Sequence, residues 1–160
     1  MQATLRKPLG KELELARVLL VDDDPTSRLT LKAVLEAGGY FVDSAASAAE
    51  AVGKLDERQY ELVLSDLRME SPQAGLKVIA HARLMEYKPA TAILTTYRNT
   101  YPDQRQMVLI EPQDLPSLLS KVADLISQRA ARIVNRQLRQ DAKGDVTALR
   151  QHAPQTAHQK

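Results

Sequence analysis

Short apolar runs alternate with longer amphipathic stretches from residue 17 to about residue 128. The runs 17–21 (RVLLV), 40–44 (YFVDS), 61–65 (ELVLS), 91–95 (TAILT) and 107–110 (MVLI) have strand length. Several are continuously apolar, as in strands covered on both faces. Helical periodicity fills the gaps. The first helix has Asp24 as N-cap, Pro25 at its first position and Gly38-Gly39 as its stop, with Leu29, Leu31, Val34 and Leu35 as its apolar face. A second covers about 47–58, with Ala48, Ala51, Val52 and Leu55 on one side, and a third runs from Gly75 to about Tyr87. A last helix starts near Leu115 and carries Leu118, Leu119, Val122, Leu125 and Ile126. Its apolar positions continue through Ile133, Val134 and Leu138, which predicts an unbroken helix over 115–140 of about 39 Å. Strand–helix alternation implies an α/β, doubly wound parallel sheet of five strands.

Two places break the pattern. Only residues 96–106 join the fourth and fifth strands, with Pro102 among them. A parallel crossover needs a dozen or more residues, so the helix expected there is shortened. Residues 1–16 read as a lead-in, 17–128 as the domain, 129–140 as a helical extension and 141–160 as a disordered basic tail. The net charge of +2 conceals an asymmetry: seven Lys/Arg against two Asp from residue 127 onward give +5, and the preceding residues sum to −3. Arg129, Arg132, Arg136 and Arg139 share one helix face, which reads first as a solvated face and second as a contact surface. With no cysteine there is no disulfide framework, thiol nucleophile or Cys-ligated metal. No bilayer-spanning run or signal-peptide pattern is present, so a cytoplasmic protein is expected.

The chemistry lies where two strands end. Val-Leu-Leu-Val runs into Asp22-Asp23-Asp24-Pro25, and Leu-Val-Leu-Ser into Asp66. Strand C-termini of a parallel sheet border the ligand crevice, so Asp22, Asp23 and Asp66 converge there. Crowded carboxylates repel one another unless a hard cation such as Mg²⁺ shares the site.

Residues 17 to about 128 resemble the receiver domain of two-component response regulators, a flavodoxin-like fold, through the acidic pair Asp22-Asp23 and the run Asp66-Leu67-Arg68-Met69. The resemblance implies that Asp23, Asp66 and the Arg68 backbone carbonyl ligate Mg²⁺, with Asp22 acting through water. It also implies that Asp66 is the phosphoacceptor for a histidine kinase or phosphotransfer protein. Thr95, in preference to Thr96, matches the hydroxyl that contacts the phosphoryl group. Gly75 matches the glycine opening the third helix, one residue later than usual.

Two positions depart from the family. Glu111-Pro112 stands where receivers carry Lys-Pro, and Val108 replaces the aromatic switch residue. One unit charge pair at about 4 Å and an effective dielectric of about 20 is worth ~4 kcal/mol, so reversing that sign matters. The expected function is an atypical, stand-alone, non-enzymatic receiver in a phosphorelay. It acts through contacts with a downstream protein or with a second copy through the last helix, and neither membrane nor nucleic acid is an expected partner. One alternative is a phosphorylation-independent pseudo-receiver adaptor. Another is a Mg²⁺-dependent aspartyl phosphatase using Asp22, since Asp22-Asp23-Asp24-Pro25-Thr26 also fits the Asp-x-Asp-x-Thr opening of haloacid-dehalogenase-like enzymes. His81 reads as a surface or boundary histidine rather than a phosphorelay donor.

Overall fold

The computed structural model describes residues 15–67, 69–95, 109–111 and 114–151. Its strands are β1 (Arg17–Val21), β2 (Phe41–Ala45), β3 (Leu62–Asp66), β4 (Ala90–Leu94) and β5 (Leu109–Ile110). Its helices are α1 (Pro25–Ala37), α2 (Ala48–Glu57), α3 (Ala74–Leu84) and α4 (Leu115–Gln151). The strands pair in parallel in the order β2-β1-β3-β4-β5. Four strands are five residues long and the fifth is a two-residue stub. The order reverses between β1 and β3, which is where an open parallel sheet leaves its crevice.

Alternation along β1 divides the core between the sheet faces. Leu19 and Val21 pack with Leu55 of α2 and Val78, Ile79 and Ala82 of α3. Val18 and Leu20 pack with Leu31 and Leu35 of α1 and Leu118 and Val122 of α4. Central strands thus read as unbroken apolar runs because both sides are covered.

The N-cap of α1 is as expected. Asp24 accepts from the Ser27 N–H at 3.0 Å and Pro25 opens the helix. Gly39 ends the segment at φ 96°, a conformation that costs glycine little. Leu29 does not join the α1 core face: it is 71% exposed. Two residues before Leu31, it lies about 200° round the helix from that buried side chain.

The tail expectation needs correction. Residues 141–151 continue α4, which is 37 residues long, instead of forming a disordered tail after residue 140. The apolar stripe was a poor guide to this end. Ala142, Lys143 and Arg150 are strong helix formers, and extending a docked helix needs no new nucleation. The expected short helix within 96–106 lies outside the described residues. No helix among the described residues is long and apolar enough to cross a membrane.

Candidate phosphoryl and metal site

The acidic run at the end of β1 divides into three roles. Asp24 caps α1. Asp22 is buried, and its position is fixed from three sides. Its N–H donates to Ala45 O at 3.0 Å, its Oδ1 accepts from the Asp24 N–H at 3.0 Å, and its carbonyl accepts from Arg28 Nη1 at 2.8 Å. Asp23 is exposed at the mouth of the crevice.

Asp66 closes β3 beside Leu94 of β4 and is half-buried. One carboxylate oxygen from each of Asp22, Asp23 and Asp66 lies within 4.8 Å of the others. All three donors are hard oxygens. Octahedral Mg²⁺ takes such ligands at about 2.0–2.1 Å, which sets neighbouring donors roughly 3 Å apart and opposite donors roughly 4 Å apart. The trio therefore fits a small divalent cation with minor adjustment, and without one the three charges repel.

The turn after Asp66 depends on one glycine. A Cβ on Gly75 would stand 2.1 Å from Asp66 O and 2.8 Å from both Leu67 Cα and Leu67 O. Its missing side chain lets α3 start against the backbone of the phosphoacceptor candidate, and its N–H donates to Leu67 O at 3.2 Å. Thr95, 8% exposed, follows β4 directly, and its N–H donates to Ile110 O at 3.0 Å. Glu111 is half-buried immediately after β5. It belongs to the same end of the sheet, two strands over from Asp66. Arg68, Thr96 and Val108 lie outside the described residues.

Sequence reasoning missed two supports of the site. Glu70, in the β3–α3 loop, accepts from the Ala48 N–H at 2.8 Å and so ties that loop to the start of α2. No local spacing signals this contact, which spans 22 residues. The α2 cap itself was readable: Ser47 Oγ accepts from Glu50 N–H at 3.2 Å, while Glu50 Oε2 accepts from Ala46 N–H at 2.9 Å. The Ser-x-x-Glu spacing signals this reciprocal N-terminal capping. His81 contacts Asp56 at 2.7 Å on the surface, away from the carboxylate trio.

Residues 18–123 match the model of the response regulator receiver domain family. The chain belongs to that family. The receiver aligns at 34% identity over 122 residues with the transcriptional regulatory protein GlrR of Escherichia coli, covering 72% of this chain and 27% of that protein. Against ResD of Bacillus subtilis it is 36% identical over 78 residues, covering 49% of this chain and 31% of ResD. The chain thus spans under a third of the length of either relative. Among solved structures it is similar to the response regulator TrrA of Thermotoga maritima in complex with Mg²⁺ and BeF, with a TM-score of 0.59 and 28% identity. That match covers 69% of this chain and 99% of TrrA. CheY4 of Vibrio cholerae gives a TM-score of 0.61 at 25% identity, covering 69% of this chain and 98% of CheY4. The receiver assignment and the flavodoxin-like α/β fold hold, and both place this chain in two-component signalling.

Proposed function

We propose that this receiver accepts a phosphoryl group on Asp66 from a histidine kinase or phosphotransfer protein, with Mg²⁺ held by Asp22, Asp23 and Asp66, and signals through protein contacts. The carboxylate trio within 4.8 Å at the β1/β3 switch point carries this reading. A bound cation would offset charge on the trio and on the transferring group, which a carboxylate nucleophile alone cannot do. Asp22 supports that arrangement through the fixed turn, and Thr95 stands at the neighbouring strand end to contact the phosphoryl oxygens. Likeness to TrrA, whose structure was determined with Mg²⁺ and BeF, supports the same use of the crevice.

Glu111 favours a second reading, a pseudo-receiver adaptor that works without phosphorylation. A carboxylate at that end of the sheet adds negative charge where an incoming phosphoryl group is already anionic. Incubation with a small phosphodonor and Mg²⁺, followed by mapping of the modified aspartate, separates the readings. Label on Asp66 supports the receiver chemistry, whereas no label supports the adaptor. Label on Asp22 with rapid turnover of phosphate esters would instead point to the aspartyl phosphatase alternative.

A further inference from the structure

At the pole opposite the carboxylate trio, α4 leaves the receiver body. Arg129 marks the departure: its Nη2 donates to Tyr87 O at 2.6 Å and its Nε to Lys88 O at 2.9 Å, just before β4 begins. Residues 130–147 are all exposed. From Ala130 to Gln151 the helix extends about 33 Å beyond this clamp, at about 1.5 Å per residue.

Charge along the extension is segregated. Arg132, Arg136, Arg139 and Lys143 follow spacings of four, three and four residues and so share one face. Asp141 and Asp145 stand two residues either side of Lys143, about 160° round the helix. Among the described residues, none of these four cations forms an ion pair. The row begins over a cleft of about 380 Å³ between the extension and the α3–β4 turn. Arg132, Arg136 and Lys88 border this cleft together with one acid, Glu86, and Ile133, 44% exposed, lines it as an apolar wall about 60° round the helix from Arg136.

We infer that this face docks an acidic amphipathic helix of a partner protein. Its carboxylates would pair with the cation row, and one apolar side chain would enter the cleft against Ile133. The row has the heptad-like spacing that a second helix can match turn for turn. A nucleic acid offers the charge but no apolar side chain for Ile133. The acidic body, at −3 over the first 126 residues, also disfavours an extended polyanion that would run on past the clamp. This surface is independent of Asp66 phosphorylation.

The test uses the full chain and a synthetic helix-forming peptide with Glu at i, i+4, i+7 and i+11 and a single Leu. Its comparators are the same peptide with Leu replaced by Gln, and random-sequence duplex DNA of similar charge. Binding is followed by fluorescence anisotropy at several salt concentrations, with circular dichroism confirming that each variant keeps α4. The Leu peptide should bind, and R132E/R136E should weaken it by at least about 10-fold. Ile133→Ala should cost roughly 3-fold or more and should abolish the preference for Leu over Gln. Asp66→Asn should leave binding unchanged, which keeps this test separate from the phosphoacceptor reading. Absence of peptide binding, equal binding of the Gln peptide, insensitivity to R132E/R136E, or tighter binding of DNA than of the peptide each overturns the inference.

Discussion

Two Gly→Ala substitutions should move stability in opposite directions, and the difference reports directly on the turn that carries Asp66. At Gly75 the new methyl group would meet three backbone atoms, at 2.1, 2.8 and 2.8 Å. Backbone of β3 and of the turn after it cannot rotate away as a side-chain tip can, so α3 must shift or the turn must open. Overpacking of this kind costs typically 1–3 kcal/mol, roughly. A favourable Gly→Ala helix term recovers only about 0.4–1 kcal/mol. At Gly53, within α2, a Cβ meets nothing within 4 Å, so the helix term acts alone and Gly53→Ala should stabilise by that amount. For a chain of this length 1 kcal/mol corresponds to about 2–4 °C in Tm. Thermal denaturation followed by circular dichroism should therefore show Gly75→Ala several degrees below the parent and Gly53→Ala a few degrees above it. If Gly75→Ala is neutral or stabilising, the close approach of α3 to Asp66 is wrong, and with it the account of how the turn after Asp66 is built.

Leu118 is fully buried on the α1/α4 side of the sheet, and Leu118→Ala should cost about 2–5 kcal/mol in urea unfolding; a loss below about 1 kcal/mol would mean that α4 is not docked there. Tyr87 is pushed up to about 12, first by burial and then by the charge of Asp56, with Arg129 opposing; Tyr60 is raised further by burial and by donating its O–H to Asp43 at 2.8 Å. Both shifts favour the protonated form in the native state, so the stability they contribute is intact below pH 10 and falls as pH rises toward 12. Ultraviolet titration of tyrosinate should accordingly show two late-ionising residues and a loss of structure over that window, whereas ionisation of all tyrosines near pH 10 would contradict it. Glu111→Lys exchanges a negative for a positive charge at the crevice end of the sheet and should speed labelling of Asp66 by a small phosphodonor; an unchanged rate would show that residue 111 does not act on the phosphoryl group, and a slower one would contradict the electrostatic account.

The sheet was legible because its burial is two-sided. Strands β1 to β4 fall within a residue of the apolar runs that predict them, since each run must fill both cores. The α1 boundaries were equally legible, because Asp24-Pro25 and Gly38-Gly39 act locally through a cap, a fixed φ and a positive φ. Legibility failed where no local force marks the end. The distal part of α4 has no packed face, and Gly144, a residue that often stops helices, is carried through, so an apolar stripe ended it too early. Leu29 illustrates the converse, an apolar residue placed by its angle on the helix and not by its hydropathy. At the site, the carboxylates were visible because acids ending apolar strands have few other uses. The Glu70 contact to α2 and the Arg129 clamp were not, because each joins residues more than twenty positions apart through geometry that only the folded sheet creates.

Mg²⁺ titration by isothermal calorimetry, at near-neutral pH on the unphosphorylated chain, tests the central claim most directly. The carboxylate trio predicts one saturable site that is abolished or severely weakened in Asp23→Asn and in Asp66→Asn, while both variants keep the parent's circular dichroism. No saturable binding by the parent, or unchanged binding in both variants, would contradict the assignment of the β1/β3 crevice as a cation-assisted phosphoryl site.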